Sequence, residues 1–264
     1  MLKHINSEVL LTRPITVLFD TDNTLYDYGP ANHIANQAAE RKAGNLLGIS
    51  SDIYKAAFKQ ARQDVKVRLG HTASSHNRLL YFQRMLEILG FKAQLLIALD
   101  LEQTFWRTFL VNAPLFPGVV EFLQLLRRQS VPIAIVTDLT AHVQLRKLTH
   151  FRLEETFDAV VTSEEVGADK PDKRNFELVL DKLKVNANDG QVWMIGDSPS
   201  ADIRGGKTIG AVTFQKVHGD LKIGSGKDAP DYAFSSFLEL HEYTLQKILS
   251  DQTPELTTVK NIAK

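Results

Sequence analysis

The sequence has no cysteine, which excludes disulfide staples, thiol nucleophiles and thiolate metal sites. It also has no net charge, because 31 basic side chains cancel 31 acidic ones. The electrostatic footprint expected of a nucleic-acid or anionic-membrane binder is therefore missing. No apolar run approaches the length of a membrane span, and there is no internal repeat or low-complexity tract. The opening stretch, MLKHINSEVLLTRP, lacks the long apolar core and small-residue cleavage site of a secretory leader. These absences lead us to expect a soluble, cytoplasmic protein with neither nucleic-acid nor membrane partners. What is present is an ordinary globular balance, 44% apolar and 23% charged over 264 residues, enough for one large domain or two modest ones.

The most informative stretch runs from Ile15 to Asp27, ITVLFDTDNTLYD. Its apolar, β-branched start reads as a strand buried on both faces, as in a parallel sheet between helix layers. Ligands of open sheets bind beyond the carboxyl ends of the strands, and there the run stops at Asp20, followed by Asp22. Two carboxylates leaving an apolar strand repel each other and lose hydration, so the chain needs a cation or a proton there. The ordinary alternative is a polar turn with an aspartate helix cap.

Helical periodicity follows. The expected helices are one with Ala31, Ile34, Ala35, Ala38, Ala39 and Leu46 on its inner face and Gly48 as its stop; Asp52 to Leu69 with Ile53, Ala57, Ala61 and Val65 inward; Asn77 to Leu89 with a stripe of Leu79, Phe82, Leu86 and Leu89; and Ala93 to Phe109. Four amphipathic helices with short connections point to a small bundle. Pro114 to Gly118 then breaks the pattern. Beyond it helix and strand alternate: helix Val119–Arg128, strand Pro132–Val136, helix Ala141–Thr149, strand Ala159–Thr162, helix Asn175–Lys184, strand Val192–Ile195, strand Ala211–Gln215, a last strand at Tyr232-Ala233-Phe234, and a closing helix Phe237–Leu249. Lys216 to Pro230 reads as a surface loop, and the tail after Asp251 as frayed. Trp106 and Trp193 read as core residues.

Alternation of this kind gives parallel βαβ units. About thirty residues suffice for one crossover, yet more than a hundred separate Asp22 from Thr137. The expectation is therefore an α/β fold: a Rossmann-like parallel sheet core between helices (residues 1–27 and 114–264) with an inserted four-helix cap domain (residues 28–113).

Four polar sites end or follow the apolar strands: Asp20 with Asp22, Thr137 at the end of PIAIVT, Lys170 in GADKPD, and Asp197 with Asp202 in IGDSPSAD. Taken singly, each has a plain structural reading, as a strand-end threonine, a solvated lysine or a turn cap. In order and together they resemble the four motifs of the haloacid dehalogenase superfamily, in its helical-cap phosphatase branch, similar to phosphoglycolate and N-acylneuraminate-9-phosphate phosphatases. The resemblance implies Mg²⁺ held by Asp20, the backbone carbonyl of Asp22 and the side chain of Asp197. It also implies Asp202 as an outer ligand or as the partner that orients Lys170.

The chemistry of the residues agrees. A carboxylate, Asp20, can attack phosphorus and split one hard step into two easier ones. Asp22 is the candidate acid and base. Lys170 supplies fixed positive charge beside the transferring group, and Thr137 a hydrogen bond to a phosphoryl oxygen. Enzymes of the superfamily that displace halide from carbon lack the second aspartate, so Asp22 argues for phosphoryl transfer. Two positions depart from the commonest pattern: Asn23, where many relatives have glycine, and Asp138, where many capped members have asparagine.

Substrate selection is expected from LGHTASSHNRLLYFQR, with His76 and Arg78 as candidate contacts beside Asn23 and Asp138; a polar loop capping the next helix is the alternative. The leading expectation is a phosphatase of a small phosphate monoester (a sugar, nucleotide or organic-acid phosphate), working as a monomer or homodimer. A mutase similar to β-phosphoglucomutase and a non-catalytic binding protein on the same fold are the competing readings. If the helical insertion moves, Tyr28-Gly29-Pro30 and Pro114 to Gly118 are the expected hinges.

Overall fold

The apolar run before Asp20 lies in the middle of a seven-stranded sheet. The computed structural model describes residues 2–246; the end of the closing helix expected at Leu249 and the tail after Asp251 lie outside them. The strands are β1 (Lys3–His4), β2 (Pro14–Phe19), β3 (Ile133–Thr137), β4 (Ala159–Thr162), β5 (Gln191–Gly196), β6 (Val212–Lys216) and β7 (Tyr232–Phe234). Their order is β1-β7-β6-β5-β2-β3-β4. All neighbours pair in parallel except β1, which runs antiparallel to β7. β2 therefore sits between β5 and β3, where the strand order reverses and a ligand crevice opens.

The helices are α1 (Tyr28–Leu47), α2 (Ser51–Leu69), α3 (Arg78–Ile88), α4 (Leu95–Val111), α5 (Val119–Arg128), α6 (Ala141–His150), α7 (Ser163–Val166), α8 (Lys173–Leu183), α9 (Arg204–Lys207) and α10 (Phe237–Thr244). β2 is buried on both sides: Val17 and Phe19 pack with Phe122 of α5 and Phe237 of α10, and Leu18 packs with Phe176 and Val179 of α8. The first of these two cores continues through Tyr26 and Phe109 into α1 and α4. Trp106 and Trp193 are both buried.

Several helix faces differ from expectation. α1 buries Ala31, Ala35, Ala39 and Ala43, whereas Leu46 is 49% exposed. The small side chains let α4 approach, and Phe105, Trp106 and Phe109 supply the bulk in the shared core. In α2, Ala57, Ala61 and Val65 are buried as expected, but Tyr54, stacked on Phe58 at 5.6 Å, is buried with them in place of Ile53, which is 49% exposed. A tyrosine ring hides more apolar surface than an isoleucine, and that decides the rotation of the helix. In α3, Tyr81 and Met85 join Phe82 and Leu86 in the interior, and Leu79 and Leu89 are only half-buried. Lys216, expected in a loop, ends β6 and is buried, with its ammonium 4.1 Å from the centre of the Phe116 ring.

The two chain crossings into and out of α1–α4 lie side by side. Tyr26 bridges Leu115, and Phe116 N–H donates to Leu25 O at 2.8 Å. Tyr28, Gly29 and Pro30 are the first turn of α1, capped by the Asp27 side chain. The entry crossing therefore precedes Tyr28. Pro30 fits there because first-turn N–H groups have no helical partner to lose.

Candidate active site

Asp20 leaves β2 with its N–H donated to Ile195 O of β5 at 2.9 Å. The following turn needs a left-handed residue at Asn23, where φ is 62°. Asparagine tolerates that conformation better than most residues, and its Oδ1 accepts the Tyr28 N–H at 3.1 Å. The position open to glycine is thus filled by a residue that also braces the start of α1. Thr24 Oγ1 donates to Asp20 Oδ2 at 3.0 Å, which fixes the carboxylate.

Lys170 reaches this carboxylate from the loop after α7. Its ammonium donates to Asp20 Oδ1 (2.7 Å), Asp202 Oδ1 (2.6 Å) and Val136 O (2.9 Å), which uses all three of its protons. Burial opposes the charge of Lys170, but Asp20 and Asp202 outweigh it and hold the ammonium well above the usual lysine range. Asp202 is tied at its other oxygen by Ser198 N–H at 2.9 Å. Its approach requires Gly196, because a Cβ there would lie 2.4 Å from the Asp202 side chain.

Asp197 differs from its neighbours: among the described residues its carboxylate takes part in no hydrogen bond or ion pair. Burial, then repulsion from Asp20 and Asp202, pushes it up to about 8. Asp20 is pushed up to about 6 by burial, with Lys170 opposing the rise. Asp20, Asp197 and Asp202 each place one oxygen within 4.8 Å of the others. Carboxylate oxygens alone, with one of the three carrying no partner, suit a hard divalent cation such as Mg²⁺.

Asp22 faces a partner that the sequence reading missed. Lys147 of α6 donates to both its oxygens, at 2.6 and 2.9 Å, and the Tyr26 hydroxyl donates to Oδ1. The lysine side chain is 1% exposed. Its ammonium lies between 5.5 and 5.8 Å from the ring centres of Tyr26, Tyr28, Trp106 and Phe109, so aromatic faces and one carboxylate stand in for water. Burial lowers its pKa while Asp22 supports its charge. The available signal was spacing: Gln144, Lys147 and Leu148 recur at three and four residues, and all three face inward.

Thr137 ends β3 fully inside. Its hydroxyl shares a hydrogen bond with Thr21 at 2.8 Å and accepts from Gln144 Nε2 at 2.9 Å. Gln144 also donates to Asp138 O at 2.7 Å. Asp138 accepts the Lys170 N–H at 2.9 Å, and burial raises its pKa. Its carboxylate thus holds the backbone of the loop that carries Lys170. Thr21 and Gln144 were not anticipated either.

All of these sequence-derived residues border one cavity of about 420 Å³, with Asp20, Asp22, Asn23, Thr137, Asp138, Lys170, Asp197 and Asp202 below and His76 and Arg78 on the helical side. His76 pairs with Asp169 at 3.6 Å. Arg78 donates to the Tyr28 hydroxyl (2.5 Å), His76 O (3.0 Å) and Asn32 Oδ1 (3.4 Å), and lies over the rings of Tyr81 and Phe105.

Comparison with known proteins gives a consistent result. Residues 16–210 match the family described as haloacid dehalogenase-like hydrolase. The ribulose-1,5-bisphosphate 5-phosphatase of Halopiger xanaduensis is 39% identical over 198 residues, 75% of this chain and 82% of that protein. The glyceraldehyde 3-phosphate phosphatase of Methanopyrus kandleri is 27% identical over 229 residues, 85% of this chain and 94% of that protein. Among solved structures, magnesium-bound YfnB of Bacillus subtilis superposes with a TM-score of 0.65 at 26% identity, covering 90% of this chain and 100% of that one.

Proposed function

The chain belongs to the haloacid dehalogenase-like hydrolases, and from that membership we propose a Mg²⁺-dependent phosphatase acting on small phosphate monoesters through an aspartyl-phosphate at Asp20. The observation that carries this reading is the pairing of a carboxylate fixed by Thr24 and Lys170 with a neighbouring carboxylate, Asp197, that has no partner among the described residues and lies with Asp20 and Asp202 in one acidic cluster. Both relatives reported above are named as phosphatases of small phosphorylated compounds.

Asp20 attacks phosphorus as the nucleophile, and the bond to the leaving oxygen breaks. Asp22 gives that oxygen a proton, then takes one back from the water that hydrolyses the aspartyl-phosphate. Lys147 and Tyr26 set the position of the Asp22 carboxylate. Lys170 neutralises charge on the transferring group and is itself aimed by Asp202. Asp20, Asp197 and the backbone carbonyl of Asp22 would hold the Mg²⁺, which supplies positive charge against the phosphoryl oxygens. Residues 28–113 act as a cap over a core made of residues 1–27 and 114–264, with His76 and Arg78 presented to the leaving group.

Release of free phosphate from p-nitrophenyl phosphate tests this. Activity is expected with Mg²⁺, is expected to vanish with chelator, and is expected to fall by at least about a thousandfold in Asp20→Asn. Undiminished activity in that variant overturns the reading. Phosphate release without any sugar acceptor separates a phosphatase from a mutase.

A further inference from the structure

At the acidic end of the cavity both lysines are already engaged: Lys170 serves Asp20 and Asp202, and Lys147 serves Asp22. The cations of the helical end are not engaged in this way. Arg62 and Lys66, one turn apart on α2, border the same cavity, and among the described residues neither makes an ion pair. Arg62 lies close to a neutral group, the Tyr81 hydroxyl. Lys66 is half-buried, and its pKa is lowered by burial and then by Arg62 and Arg78, with Asp169 opposing. Arg62 is exposed and Lys66 half-buried, and two like charges side by side on the wall of a concave site repel each other unless an anion joins them.

The pattern extends along the helix. Lys55, Lys59, Arg62 and Lys66 recur at spacings of four, three and four, which puts them on one face of α2. All four border a second cavity of about 820 Å³ between α1 and α2. Asn36, Phe58, Arg62 and Lys66 line both cavities, so the basic side chains run outward from the reaction centre, and at the far end Lys55 pairs with Glu40 of α1 at 3.4 Å. A cationic face on a helix is usually just solvated; here it forms part of the wall of a concave site whose two buried lysines, Lys147 and Lys170, are already paired.

We propose that Arg62 and Lys66 bind a second anionic group on the substrate, a phosphate or carboxylate carried by the leaving group. The preferred substrate is then a doubly anionic small molecule such as a sugar bisphosphate. This rests on the phosphatase reading and specifies its substrate class. The cavity of about 420 Å³ is large enough for such a molecule.

The test compares kcat/KM for fructose bisphosphate, fructose monophosphate, phosphoglycerate and p-nitrophenyl phosphate in the wild type and in Arg62→Ala/Lys66→Ala. The wild type is expected to favour a doubly anionic probe over fructose monophosphate by about tenfold or more. The double variant is expected to bring that ratio close to one, mainly through KM, and Arg62→Lys/Lys66→Arg to retain it. Preference for fructose bisphosphate assigns the second anion as phosphate, and preference for phosphoglycerate as carboxylate. Equal constants in the wild type, or a preference that survives in the double alanine variant, overturn the proposal and leave the phosphatase reading intact. No hydrolysis of any probe overturns both.

Discussion

Lys147 is the side chain whose environment is most out of keeping with its type. An ammonium with almost no solvent is held by one carboxylate and four aromatic rings. Removing it leaves Asp22 without its charged partner, so Lys147→Met is expected to cost up to about 3 kcal/mol of stability in denaturant titrations. A positioning role adds a second expectation: kcat falls about tenfold or more with KM little changed, because Asp22 is the proposed acid and base of the chemical step. A stability loss with kcat unchanged would make Lys147 structural only. Gly196 offers a simpler check. A methyl group there meets Asp202 at 2.4 Å, and Gly196→Ala is expected to lower stability by about 1–3 kcal/mol. At this scale the sequence made strand-end residues legible: Asp20, Thr137 and Asp197 each follow an apolar run. Lys147 and Thr21 stayed hidden because their partners lie more than a hundred residues away, and Gln144, although it bonds Thr137 only seven residues back, shares with Lys147 only the helical spacing of an ordinary inward face.

Helix α1 is the element on which the placement of the helical segment depends. Its buried line of alanines is the surface on which α4 rests, and it leaves no room for a larger side chain. Ala39→Leu is therefore expected to destabilise the protein by about 1–3 kcal/mol through overpacking, read as a fall in melting temperature; an unchanged or raised value would contradict the close approach. Element types were legible from periodicity, and α5 and β4 begin and end where the pattern placed them. Helix faces were less legible, because at Ile53 against Tyr54 two apolar neighbours compete and only packing on Phe58 decides. β1 has two residues and no period, so nothing local announced it; it exists because β7 offers an open edge.

Across the whole molecule, the parallel sheet brings residues from distant parts of the chain to one crevice, and the charges there give stability a pH dependence. Asp20 and Asp197 have pKa values raised from 3.8 to about 6 and about 8. The folded protein without metal thus holds protons that the unfolded chain has released. Its stability is expected to fall as pH rises from about 4 to about 8. A divalent cation, by pairing with the ionised groups, is expected to flatten that fall. Melting temperatures across this range with chelator and with Mg²⁺ check both; a rise with pH in chelator would contradict the assignment. The central claim, that Asp20 takes the phosphoryl group, is tested most directly by quenching the enzyme in acid during turnover of p-nitrophenyl phosphate with Mg²⁺ and mapping its peptides by mass spectrometry. A phosphoryl increment is expected on the peptide that carries Asp20, and none in Asp20→Asn. An unmodified Asp20 peptide in an enzyme that turns over, with Asp20→Asn equally active, would contradict it.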